Sequence, residues 1–171
     1  MKRINAGLLM FVCLVALPAM VFGQGKIAFG VGGELALPMG DFKDAYNTGF
    51  GGTGTVFYHL MPRMDLLINA GYITYGSDLD DVSFSMIPIQ AGARYFIIPE
   101  GGLYAGGLVG VHSAKAEVGD FSDSETKFSF APMIGYQYPL GSTMKLDISG
   151  RYQFISDANY FGIHLGLNFG K

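Results

Sequence analysis

From Tyr160 to Phe169 the chain changes character at every residue. Phe161, Ile163, Leu165, Leu167 and Phe169 fall on one side, and Tyr160, Gly162, His164, Gly166 and Asn168 on the other. A period of two is the signature of a β-strand whose two faces meet different surroundings; a helix needs spacings of three and four. The preceding segment repeats it: Leu146, Ile148, Tyr152 and Phe154 alternate with Lys145, Asp147, Ser149, Arg151 and Gln153. Six more such segments lie upstream, at 26–37, 48–60, 64–75, 84–97, 103–115 and 126–138. The pattern predicts eight strands and no helix after residue 23. Any fold of this chain must give every strand two unlike environments.

The connections alternate as well. Three are short and turn-like: Met61-Pro62-Arg63, Ile98 to Gly102 and Pro139 to Thr143. The other four run Pro38 to Asn47, Gly76 to Val82, Ala116 to Glu125 and Ile155 to Asn159. They hold ten of the 14 acidic residues: Asp41, Asp44, Asp78, Asp80, Asp81, Glu117, Asp120, Asp123, Glu125 and Asp157. In an up-and-down antiparallel meander alternate connections lie at opposite ends. One end then has tight turns and the other carries acidic loops.

Alternation alone leaves open which face is inside. A soluble, lipocalin-like carrier keeps its apolar face inward, whereas an outer-membrane barrel turns it to lipid. Four features favour the second. Only 15% of residues are charged, and the polar face is mostly Gly, Ala, Ser, Thr, Asn and Gln. Small residues of this kind suit the narrow interior of an eight-stranded barrel. The strands have membrane-spanning length, ~9–11 tilted residues. Aromatic residues on the apolar face gather in two belts, as bilayer interfaces favour. Tyr58, Tyr95, Tyr136, Tyr138 and Phe169 lie toward the turns; Phe50, Tyr72, Phe128, Phe130, Tyr152, Phe154 and Phe161 lie toward the loops. Short turns at one end and longer loops at the other complete the set. The predicted fold is all-β, an eight-stranded antiparallel up-and-down transmembrane β-barrel. Many of the 26 Gly residues fall on its inward face, at Gly30, Gly32, Gly51, Gly71, Gly92, Gly106, Gly110, Gly135, Gly162 and Gly166. Pro88 and Pro132 fall mid-strand and lack a backbone donor, so each should leave a bulge or a missing ladder bond.

The first residues have another purpose. Lys2 and Arg3 precede an apolar run, Ala6 to Leu17, which Pro18 ends before Val21-Phe22-Gly23. This reads as a signal peptide at 1–23, followed by a barrel domain at 24–171. Residues 1–23 contain two of the 11 basic residues, none of the 14 acids and the single Cys, Cys13, leaving a formal charge of −5. Residues 24–171 therefore hold no disulfide, and no basic cluster points to a nucleic-acid partner.

Read in order, LALPMGDF at 35–42, GYITYG at 71–76, MIPIQAGARYF at 86–96 and LGLNFG at 165–170 resemble the small eight-stranded outer membrane protein β-barrel domain family, also labelled porin-family. The resemblance covers residues 24–171. It implies a monomeric barrel in outer-membrane lipid, inserted by the barrel assembly machinery, which reads a terminal aromatic residue. Here Phe169 is followed by Gly170 and Lys171.

Facing places three acids and four bases in the lumen: Glu34, Asp65, Asp147, Arg94, Lys127, Lys145 and Arg151. Buried charges need partners, so these should form an internal polar network that fills the barrel. No catalytic, cofactor or metal site is expected. His112-Ser113, near the loop end, should not act as a pair, because adjacent strand residues point to opposite faces; His59 falls near the turn end, and His164 is the third His of residues 24–171. Asp78, Asp80 and Asp81 lack the ordered spacing of a calcium loop. GFGGTG at 49–54 lies on a strand without the Lys-Ser/Thr or helix of a phosphate loop. The function expected is a structural or surface-interaction barrel with both termini in the periplasm. The alternatives are a cation-preferring small-solute channel, a soluble periplasmic lipid carrier and a lipid-modifying barrel enzyme.

Overall fold

The computed structural model describes residues 26–44, 46–76, 82–98, 102–118 and 121–170. Eight strands follow in order: β1 (Ile27–Pro38), β2 (Gly49–Met61), β3 (Met64–Tyr75), β4 (Val82–Phe96), β5 (Leu103–Val118), β6 (Phe121–Pro139), β7 (Met144–Ile155) and β8 (Tyr160–Phe169). Each pairs antiparallel with the next, and β8 closes on β1. Closure leaves no free edge within the barrel wall, and outside two ladder gaps the backbone polar groups in the wall find partners without water.

The expected faces are the observed ones. Ile68, Ile89, Val109, Ile134, Ile148 and Leu165 point outward and are at least half exposed. The buried inward set includes Glu34, Asp65, Asn69, Gln90, Arg94 and Asp147. A polar inside and an apolar outside reverse the arrangement of a soluble carrier, and the apolar band fits hydrocarbon. Among the described residues no helix is long and apolar enough to cross a membrane. Strands make the crossing.

All ten inward glycines named from the sequence lie on the buried or half-buried face. A Cβ on Gly92 would run into the carbonyl oxygen of Gly107 on β5. One on Gly135 would meet the Tyr104 ring, and one on Gly162 would reach Glu34 at 2.6 Å. The missing side chains thus make room for the large groups that fill the lumen.

Both mid-strand prolines interrupt a ladder on one side. The β3–β4 pairing passes from Ala70↔Ile89 to Ile73↔Met86, omitting the pairs at Pro88 and Ile87. The β6–β7 pairing passes from Phe130↔Phe154 to Met133↔Arg151, omitting those at Ala131 and Pro132. Register is unchanged across each gap, so the outcome is a missing bond and not a bulge.

Two expectations need correction. The connection expected at Ala116 to Glu125 is the upper part of a long hairpin: β5 and β6 stay paired up to Val118↔Phe121. Its sequence does not alternate although its backbone pairs regularly. Alternation reports unlike faces, not pairing. Strand lengths consequently spread from 10 residues in β8 to 19 in β6. The chain after residue 23 is also not free of helix, since Gly40–Asp44 forms one short 3-10 turn. Gly40 takes a positive φ of 61°, which turns the chain so that Phe42 folds back into the barrel mouth. Five residues are too few to show a helical period.

Candidate functional site

The lumen is filled in layers. At the turn end, Asp65 on β3, Arg94 on β4 and Asp147 on β7 form one cluster. Arg94 donates to Asp65 Oδ2 from Nε at 2.9 Å and from Nη2 at 2.8 Å, and to Asp147 Oδ2 from Nη1 at 3.3 Å. Its guanidinium also lies 3.9 Å above the Phe57 ring centre. Asp147 accepts three further bonds, from Tyr104 Oη at 2.8 Å, Gln137 Nε2 at 2.9 Å and Asn168 Nδ2 at 3.1 Å. Asp65 meets His59 Nδ1 at 2.6 Å. Two buried carboxylates around one guanidinium are tolerable only because further donors supply the remaining contacts.

Midway, Arg151 on β7 binds Glu34 on β1 through two nitrogens. Nε donates to Oε1 at 2.9 Å, and Nη2 donates to Oε2. This two-pronged pairing joins strands 117 positions apart in sequence and matches the planar fork of Arg. Nearby, Thr53 Oγ1 lies 3.4 Å from His164 Nδ1. Further toward the loops, His112 holds Ser129 at 3.0 Å through Nδ1 and Tyr160 Oη at 3.2 Å through Nε2. Gln90 donates to the same Ser129 at 3.3 Å.

The loop end is apolar. Ala36, Phe42, Ile73, Tyr75, Met86 and Tyr160 are buried together there, with Tyr46 and Phe84 packed on them. Phe42 touches three rings, with centroid distances of 5.1 Å to Tyr46, 5.2 Å to Tyr75 and 5.6 Å to Phe84. Between the charged cluster and Arg151 the space left is about 40 Å³. That is little more than one water molecule, whose share of liquid volume is ~30 Å³.

A model of the outer membrane protein beta-barrel domain matches residues 9–169. The chain belongs to this family. No curated protein sequence matches it. Among solved structures it resembles Ail, the attachment invasion locus protein of Yersinia pestis, at TM-score 0.64 and 19% identity, covering 85% of this chain and 98% of Ail. It resembles Neisserial surface protein A at TM-score 0.68 and 15% identity, covering 85% and 97%. OprG of Pseudomonas aeruginosa gives TM-score 0.60 and 11% identity, with 86% and 97% covered. At these identities the likeness is one of fold. The chain is an outer-membrane β-barrel, and the band of exposed Ile, Val, Leu, Tyr and Phe is its lipid-facing surface.

Of the seven lumen charges read from this barrel's sequence, five form the two buried clusters: Asp65, Arg94 and Asp147, and Glu34 with Arg151. Lys127 points inward but sits at the loop-end mouth, 3.3 Å from Glu125 and 3.6 Å from Asp157. Lys145 borders a small turn-end space with His59, Gln137 and Asn168 and forms no ion pair among the described residues. Belt residues Tyr58, Tyr95, Tyr136 and Tyr138 are exposed toward the turns, as are Tyr72, Phe154 and Phe161 toward the loops. Tyr152 and Phe169 are half-buried, and Phe154 stacks on Phe130 with centres 4.5 Å apart. Residues 1–23, Asp78, Asp80, Asp81 and Asp120 lie outside the described residues.

Sequence reasoning did not pick out His59, Tyr104, Gln137 and Asn168 as partners of the ion cluster. It also did not foresee that Phe42 closes the mouth. Ser113 faces outward while His112 bonds Ser129 on the neighbouring strand. Among the described residues no three His, Cys, Asp or Glu are placed to hold a metal.

Proposed function

We propose that this barrel has a structural and surface-interacting role, with its lumen closed to solute. The observation that carries the reading is the filling of the lumen by two ion clusters and an aromatic cap. A permeant solute would have to break buried, multiply bonded charges, which costs far more than it gains. Channel conduction is the weaker reading. Catalysis has little support, since His112 is bonded to Ser129 and Tyr160, both inside the barrel wall.

Residues 1–23 serve as the export signal, and residues 24–171 form the barrel. The assembly machinery inserts it as a monomer, with the turns and both termini in the periplasm and the loop end outside. The acid-rich loop end is the surface that meets partners. Ail, whose structure also exists with the heparin analogue sucrose octasulfate, lends support to a role at the surface.

Cell fractionation with a heat-dependent gel-mobility test checks compartment and fold together. The protein should sediment with the outer membrane and migrate faster unheated than boiled. In planar bilayers the refolded protein should give no steady current. Recovery from the inner membrane or the soluble periplasm, or a stable open level in bilayers, would refute the corresponding part.

A further inference from the structure

Of three spaces lined by described residues, the largest lies at the loop-end mouth. It measures about 190 Å³, against about 40 Å³ and 10 Å³ for the inner spaces. At ~30 Å³ per water it holds the bulk of roughly six water molecules, comparable to a phenyl ring with a short polar arm. One wall is aromatic, made by Phe42, Tyr46 and Phe84; the ring centres of Tyr46 and Phe84 lie 4.6 Å apart. Met86 and Ile155 continue the apolar lining.

The rim is charged and uneven. Lys127 is mostly covered, and its ammonium is already held between Glu125 and Asp157. Those two carboxylates are largely exposed, so each keeps oxygen lone pairs free to accept. Among the residues lining the space, two acids stand against one base. His112, also lining the space, has both ring nitrogens engaged by Ser129 and Tyr160. Asp157 adopts a positive φ of 62° in the β7–β8 turn and lies 3.6 Å from the Lys127 ammonium.

We propose that this mouth pocket binds a small organic cation with an apolar body, an aryl- or alkylammonium ion. Its body packs against the Phe42–Tyr46–Phe84 wall, and its ammonium group lies at Glu125 and Asp157. This site is independent of whether the barrel conducts or which macromolecule its loops meet.

The test is a titration of the full chain, refolded in detergent, with phenethylammonium and with phenylacetate. The two probes share a ring and differ in the sign of the head group. Phenethylammonium should bind saturably, at least tenfold tighter than phenylacetate, and shift the amide signals of Ala114 and Ile155. The double substitution Glu125→Gln and Asp157→Asn should weaken it at least fivefold, with unchanged heat-dependent gel mobility as the folding control. Equal or tighter binding of phenylacetate would overturn the proposal and make Lys127 the recognising pole. No saturable binding of either probe would also overturn it, as would cation affinity indifferent to the double substitution. The two-probe comparison on the unmodified protein decides the matter even if a variant fails to fold.

Discussion

The two halves of the lumen are filled by opposite means. Toward the turns, Asp65, Arg94 and Asp147 are packed with polar partners, each bond fixed in direction. Toward the loops, Phe42, Tyr75, Met86 and Tyr160 fill the mouth mainly by apolar contact. Both occupy the lumen, yet they should respond differently to damage. A buried ion cluster adds little net stability over a well-packed apolar core, but removing one member strands the others. An apolar cap loses only what its missing atoms contributed, plus the space left behind.

The sharpest way to break this contrast is Arg94→Ala. It leaves Asp65 and Asp147 buried without their cation and should cost about 3–5 kcal/mol in urea unfolding of the refolded barrel. Replacing all three together, Arg94→Met with Asp65→Asn and Asp147→Asn, should recover most of that loss. If the triple variant is no better than the single one, stranded charge is not the cause. Phe42→Ala should come next, near the lower end of the roughly 3–5 kcal/mol typical of buried Phe→Ala changes. Hydrogen exchange should then rise at the mouth and stay unchanged around Arg94.

Gly92→Ala should cost about 1–3 kcal/mol, because its Cβ meets the Gly107 carbonyl. Gly54→Ala, with nothing within 4 Å of the added Cβ, should be neutral or stabilise by up to about 1 kcal/mol. The pair separates crowding on the inner wall from glycine content as such. The smallest effect belongs to Lys127→Met: its acidic partners are largely exposed, so loss should stay below about 1 kcal/mol in the same unfolding assay.

Facing was legible because burial writes itself into a period of two. From Glu34 and Arg151 it could be read that both point inward, but not that they meet. Their contact depends on how far each strand slides past the next around a closed barrel, a quantity no single segment records. The same limit hid the convergence of Tyr104, Gln137 and Asn168 on Asp147. Pro88 and Pro132 were informative alone, since a missing donor is a property of the residue itself. Phe42 gave no signal because its five-residue helix is shorter than any period that could mark it.

The unequal strands have a consequence for how the molecule meets its surroundings. Phe121–Phe128 of β6 pair only with β5, whereas β7 joins β6 first at Ser129. Allowing for strand tilt, that stretch rises roughly 20 Å above the neighbouring rim. The outer profile is therefore lopsided, like the raised blade of a sundial, with low ground over β7 and β8. A large approaching body would strike the hairpin first and find the mouth sheltered on one side. With the loop end outside, as proposed, the rotation of the barrel within the membrane plane becomes part of what it offers to its surroundings.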